Sequence, residues 1–240
     1  MSVRRFGERY DLETAERDDV EAWLGGLRKK SGAPLTPQTR GMYLADLRAF
    51  YDWAVDHEHY LVDPTLKLRR PKRPNYVPRP IPMKALKAAI DAAPARERVM
   101  LTLAGFGGLR CAEIAGLKLE DIDHDTMTIR VLGKGQKTRI VRMHAEVAAL
   151  IPRDQVGPVI SWAGKPVSAR AVSDRLARYL RRFGIDATGH QARHSYGTRL
   201  YEVSHNLLTV SAQMGHSSTQ TTKAYVAFSD DDAKDAILKF

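Results

Sequence analysis

Apolar residues recur at helical spacing near the start of the chain and in a helical and alternating mixture further on. Val20, Trp23, Leu24 and Leu27 fall three or four apart within residues 13–30, which predicts an amphipathic helix. The residues before it are polar and read as a frayed end. The segment KKSGAPLTPQ has turn chemistry in Gly32, Pro34 and Pro37. Thr36 can cap a second helix, with Pro37 at its first position. Met42, Tyr43, Leu44, Leu47, Phe50, Tyr51, Trp53 and Ala54 give that helix a broad apolar face.

The pattern then breaks. Residues 67–82 read KLRRPKRPNYVPRPIP, with the cations Lys67, Arg69, Arg70, Lys72, Arg73 and Arg79 and no acid. The prolines forbid a regular helix, so residues 67–81 read as an extended basic linker between domains. Cations without acids repel one another unless a polyanion neutralises them, which makes this stretch, together with Arg40, a candidate DNA contact.

Beyond the linker, helices are predicted at 83–92, 95–104 and 111–117. Residues 127–132 alternate like a strand, residues 133–137 (GKGQK) form a hairpin turn, and 139–143 is the returning strand. Helices follow at 168–183, 191–202, 206–214, 219–227 and 230–239. The fold class expected is mainly α with a small β-hairpin or sheet, in two domains: a helical domain at 1–66 and an α+β domain at 82–240.

Charge narrows the function. A formal net charge of +10 suits a polyanionic partner. No apolar run is long enough for a bilayer and the N-terminus lacks an apolar signal core, so nucleic acid is favoured over a membrane and a cytoplasmic location is expected. Cys111 is the single cysteine, which rules out an internal disulfide and a cysteine-rich zinc site.

Familiar phosphate and metal motifs fail. GFGGLR, residues 105–110, has Arg110 where a dinucleotide fingerprint needs its third glycine, and no strand precedes it. Gly133 and Gly135 lack the spacing of a Walker loop. His190 and His194 lie four apart, but HQARH lacks the glutamate of the zinc-protease helix and puts Arg193 beside any metal. Glu120, Asp121, Asp123 and Asp125 read as surface and turn acids. No cofactor is expected.

What remains is a scattered set: Arg110, Lys134, His190, Arg193, His216 and Tyr225. Singly, each has a plain alternative; Arg110 can pair with Glu113, Lys134 can be a turn residue, and Tyr225 can be a core aromatic. Together they suit one phosphodiester held by cations and attacked by a hydroxyl. Arg110 follows a glycine bend at a helix start, and a helix presents His190 and Arg193 on one side.

The strings GLRCAEIAGLKLEDID, VLGKGQKTRIVRM, HQARHSYGTRL and MGHSSTQTTKAYVAF carry these residues in an order and spacing that resemble the tyrosine recombinases, the phage integrase family. The resemblance spans residues 82–228, and more loosely 13–66 through TPQTRGMYLADLRAFYDWAV. It implies a catalytic set of Arg110, Lys134, His190, Arg193, His216 and Tyr225, a helical core-type DNA-binding domain, and a compact form without an arm-binding domain. The two domains would clamp double-stranded DNA at core-type sites. Tyr225 would form a 3′-phosphotyrosine, strands would exchange through a Holliday junction, and neither metal nor high-energy cofactor would be needed.

The resemblance further implies a protein monomeric when free and tetrameric in a synaptic complex on DNA, with a possible accessory DNA-bending protein from host or phage. Glu113 would orient Arg110 or His190. Residues 230–239 would form a docking helix, in cis or in trans. Relaxation of supercoils, as by a type IB topoisomerase, and DNA binding without cleavage are the alternatives.

Overall fold

A computed structural model describes residues 2–72, 79–133, 138–153, 155–162 and 164–215. The chain divides into two compact units, 1–76 and 77–240.

The first unit is built on three helices, α1 (Ser2–Gly7), α2 (Arg17–Gly26) and α3 (Pro37–Asp56). Thr36 Oγ1 accepts the Thr39 N–H at 3.2 Å and Pro37 opens α3, so the start read from the sequence is the one the chain adopts. Val20, Trp23, Leu24 and Leu27 meet Leu44, Leu47 and Tyr51 in one core. The Tyr51 hydroxyl donates to the Leu12 carbonyl at 2.9 Å, which gives the buried phenol a partner.

Two expectations need correction here. Residues 2–7 are a helix rather than a frayed end, because Phe6 is fully buried beside Tyr10 and Trp23. The basic run also does not leave the first unit at Lys67. Leu68 is buried in its core, and Arg48 donates to the carbonyls of Thr65 and Leu68.

The second unit packs its helices around α5 (Ala95–Gly105), in which Met100, Leu101, Leu103 and Ala104 are fully buried. Around it lie α4 (Met83–Asp91), α6 (Cys111–Gly116), α8 (Ala169–Arg182), α9 (Gly189–Ser204) and α10 (Leu207–Met214). α8 starts where Ser168 Oγ accepts the Ala171 N–H, and it buries Val172, Leu176 and Leu180 along one stripe. A short α7 (Ala145–Ala148), capped by His144, follows the sheet.

One antiparallel sheet has the order β1 (Ile122–Asp123), β2 (Thr128–Leu132), β3 (Thr138–Arg142). Its register pairs Leu132 with Thr138 and Val131 with Arg139, so β2 and β3 lie side by side as the two expected strands; four of the residues expected to turn between them, 134–137, lie outside the described residues. A two-residue hairpin, β4 (Ser161–Trp162) with β5 (Lys165–Pro166), lies beyond it.

Candidate active site

The site grows from a buried carboxylate. Glu113 is in the first turn of α6, and its side chain is 4% exposed. Its Oε2 accepts the Arg110 N–H at 2.8 Å, closing the helix start, and its Oε1 accepts Arg110 Nη1 at 2.8 Å. Arg139 on β3 grips the same carboxylate with both terminal nitrogens, Nη1 to Oε1 at 2.8 Å and Nη2 to Oε2 at 3.0 Å. Arg193 on α9 reaches it at 3.5 Å. One acid thus gathers arginines from three separate elements.

Burial is the largest single influence on the Glu113 carboxyl and pushes its pKa up. The Arg139 hydrogen bonds, the Arg110 N–H and the charges of Arg139 and Arg193 together outweigh burial, and the net pKa lies below the ordinary carboxylate value. Glu113 is therefore ionised, and three guanidiniums against one carboxylate leave the cluster cationic.

Backbone carbonyls complete the frame. Arg193 is 2% exposed and donates through Nη1 to Gly108 and through Nη2 to Met214. Arg110 Nη2 donates to the Gly215 carbonyl at 3.0 Å, and Arg139 Nε reaches the Gln213 carbonyl at 3.4 Å. The end of α10 is therefore fixed on the arginines. Its cap, Gly215, has φ +60, and a Cβ there would fall 2.8 Å from Arg139 Cζ. The middle of α9 is fixed as well: Ser195 Oγ exchanges hydrogen bonds of 2.8 Å with the N–H and carbonyl of Ile81.

His190 lies in the first turn of α9, and its ring meets His194 edge to face at 4.4 Å. His190 is exposed to solvent on one side, yet protein packing around the ring, and then the charges of Arg193 and Arg110, hold its pKa below the ordinary imidazole value. It is a neutral hydrogen-bonding group at pH 7.

Of the residues singled out from sequence, Arg110, His190 and Arg193 share this region. Glu113 orients Arg110, and no hydrogen bond from it to His190 is seen among the described residues. Lys134, His216, Tyr225 and Arg73, and the helices expected at 219–227 and 230–239, lie outside the described residues. Arg40 is in the first turns of α3, half-buried, and Arg70 lies against the same helix, 3.5 Å from where a Cβ on Gly41 would stand. Lys67, Arg69, Lys72 and Arg79 are exposed.

The acids at 120–125 have structural partners. Glu120 accepts the Gly157 N–H, Asp121 pairs with Arg130 at 2.8 Å, and Asp123 accepts the N–H groups of Asp125 and Thr126. Among the described residues, no three His, Cys, Asp or Glu side chains are placed to hold a metal ion, and no helix is long and apolar enough to cross a membrane.

Arg139 was missed by the sequence reading. Strand alternation carries the signal: residue 139 has the parity of Val141, which is fully buried, so an arginine there points inward and needs a buried partner.

Comparison with known proteins decides the family. The model of the phage integrase family matches residues 82–231. The chain belongs to that family. A similar relative is tyrosine recombinase XerC 2 of Ralstonia nicotianae, 30% identical, with 94% of this chain and 74% of the relative covered. The integrase of mycobacterium phage Brujita is 31% identical over 93% of this chain and 78% of its own, with a TM-score of 0.55. The XerH recombinase bound to palindromic difH substrate has a TM-score of 0.76 at 20% identity, covering 98% of this chain and 75% of its own. As a phage integrase family member the chain is a tyrosine recombinase, an enzyme of site-specific recombination that breaks and rejoins DNA.

Proposed function

We propose that the Glu113-centred cluster receives the scissile phosphate of double-stranded DNA and that Tyr225 is the nucleophile. The observation that carries this reading is the gathering of Arg110, Arg139 and Arg193 on one ionised carboxylate, beside a neutral imidazole. A surplus of guanidinium charge stabilises the oxygens on which negative charge develops in phosphoryl transfer.

In this reading the Tyr225 oxygen forms a bond to phosphorus while the bond from phosphorus to the 5′-oxygen breaks. The tyrosine proton passes to His190, which is neutral and able to accept it. Lys134 gives a proton to the departing 5′-oxygen. Arg110, 40% exposed in its side chain, meets the non-bridging oxygens; Arg193 holds the frame and His216 adds a donor. The reverse step on a partner strand conserves the bond, so joining needs no nucleotide. Two such exchanges use four nucleophiles, hence four copies on two duplexes. Arg40, Lys67, Arg69, Arg70, Lys72, Arg73 and Arg79 contribute phosphate contacts.

The test is a covalent adduct on nicked duplex DNA, resolved after denaturation. Wild type forms it. Tyr225→Phe forms none while its DNA affinity stays within about threefold, because binding is spread over many phosphates. An adduct in Tyr225→Phe removes Tyr225 from the role.

A further inference from the structure

We propose that Arg139 is a positioning residue: it locks the end of β3 that follows Lys134 in the chain onto the Glu113 cluster, so that proton donor and phosphate clamp are placed as one unit. This rests on the reading of Lys134 as the acid that protonates the leaving oxygen.

The hairpin itself makes the case. Ile129, Val131 and Val141 are its buried apolar positions, each 1% exposed or less. At the last pair of the register this apolar support ends: Leu132 is 64% exposed, and its partner Thr138 is exposed too. On β3 the first inward side chain is Arg139, 17% exposed and paired in register with Val131. The first anchor on that strand is therefore an ion pair rather than a hydrophobic contact.

That ion pair is two-pronged and has further ties. Both terminal nitrogens meet the two oxygens of Glu113, and Nε reaches the Gln213 carbonyl. Gln213 Oε1 accepts the Arg142 N–H at 2.9 Å, so β3 is fastened twice to the end of α10. Lys134 is three residues beyond Val131, which keeps its Cα within about 11 Å of that strand position. A shift at Arg139 moves the start of β3 relative to Arg110, since both side chains share Glu113 Oε1.

Arg139 acts through its neighbours, with its fork spent on a carboxylate. A lysine keeps the charge and loses the two-pronged grip. A bridging sulfur at the 5′ leaving position separates positioning of the acid from general support of the fold, because a thiolate departs without a proton.

Arg139→Lys and Arg139→Ala, in the full chain, are compared with Lys134→Ala on ordinary and 5′-thio nicked duplexes. Binding and thermal melting are followed alongside, and Arg139→Lys carries the test should Arg139→Ala melt out. Arg139→Lys is expected to slow cleavage by about tenfold or more on ordinary DNA with binding within about threefold, and to regain most of that loss on the thio substrate. Lys134→Ala recovers in the same way. If Lys134→Ala recovers and Arg139→Lys is equally slow on both substrates, or unimpaired on both, the inference falls alone. Failure of Lys134→Ala to recover sinks the reading of Lys134, and the inference with it.

Discussion

Gly108 lies against the ring of Tyr196: a Cβ at position 108 would fall 2.5 Å from both Cδ1 and Cε1 of the tyrosine. Its φ of +64 is also one that L side chains avoid. The bend delivers two things at once, since its carbonyl accepts from Arg193 and Arg110 follows two residues later. Gly108→Ala is expected to destabilise the protein by more than about 2 kcal/mol, from left-handed strain plus the clash. Thermal melting reads the stability and adduct formation reads the chemistry; a melting temperature and cleavage rate equal to wild type would show that the bend tolerates a side chain.

Glu113→Gln tests whether one charge holds the arginines. Removing it leaves buried guanidiniums without their counter-ion, at a cost of about 3 kcal/mol near neutral pH. The pH dependence is more specific. The unfolded chain titrates Glu113 near 4.5 and the folded chain below that. The carboxylate's contribution is therefore complete above 4.5 and is lost as pH falls through the folded value. Denaturant titrations should show a gap between wild type and Glu113→Gln that is flat at neutral pH and narrows below 4.5. A gap that widens in acid would contradict the assignment.

Much of the fold can be read from sequence because its helices announce themselves locally. Thr36 and Pro37 start α3, Ser168 starts α8, and Val172, Leu176 and Leu180 mark the buried stripe of α8. α1 escaped because Ser2–Gly7 is too short for a period, and its single anchor, Phe6, gains its meaning only from Trp23. α7 escaped for the same reason. Arg110, His190 and Arg193 are legible through the strings around them. Arg139 is different: its role depends on the register of β2 and β3 and on a carboxylate 26 residues away. Alternation along β3 can mark Arg139 as inward, but the identity of its partner is set by tertiary packing, which no local pattern encodes.

His190 should titrate low. Partial desolvation of the ring by its packing neighbours, then the positive charges of Arg193 and Arg110, depress its pKa below 6.5. The neutral ring therefore contributes stability above 6.5, lost as pH falls through the folded value. Histidine-resolved NMR titration should place its midpoint below 6.5, and Arg110→Ala, which removes one repelling cation, should raise it. A midpoint above neutral pH would make His190 mainly a cation there and unfit to accept the tyrosine proton.

Phe6 makes the first unit depend on its short leading helix. The side chain is fully buried, stacks on Tyr10 with ring centroids 5.2 Å apart, and meets Trp23 edge to face at 5.2 Å. Trp23 in turn meets Tyr43 on α3 at 5.6 Å, so α1, α2 and α3 share one aromatic chain. Ser2 Oγ also donates to Asp46, a second tie between α1 and α3. Truncating an aromatic at such a position removes the transfer energy of the ring and leaves a cavity beside Trp23, together about 3–5 kcal/mol. The loss falls on the unit that carries Arg40 and Arg70. Phe6→Ala should therefore red-shift the tryptophan fluorescence, lower the melting temperature and weaken DNA binding. Adduct formation at saturating DNA should change little, because Glu113 and its arginines lie in the other unit. Normal melting and normal affinity in Phe6→Ala would mean that α1 is dispensable. A loss of adduct at saturating DNA would mean that this helix supports the chemistry as well as the binding.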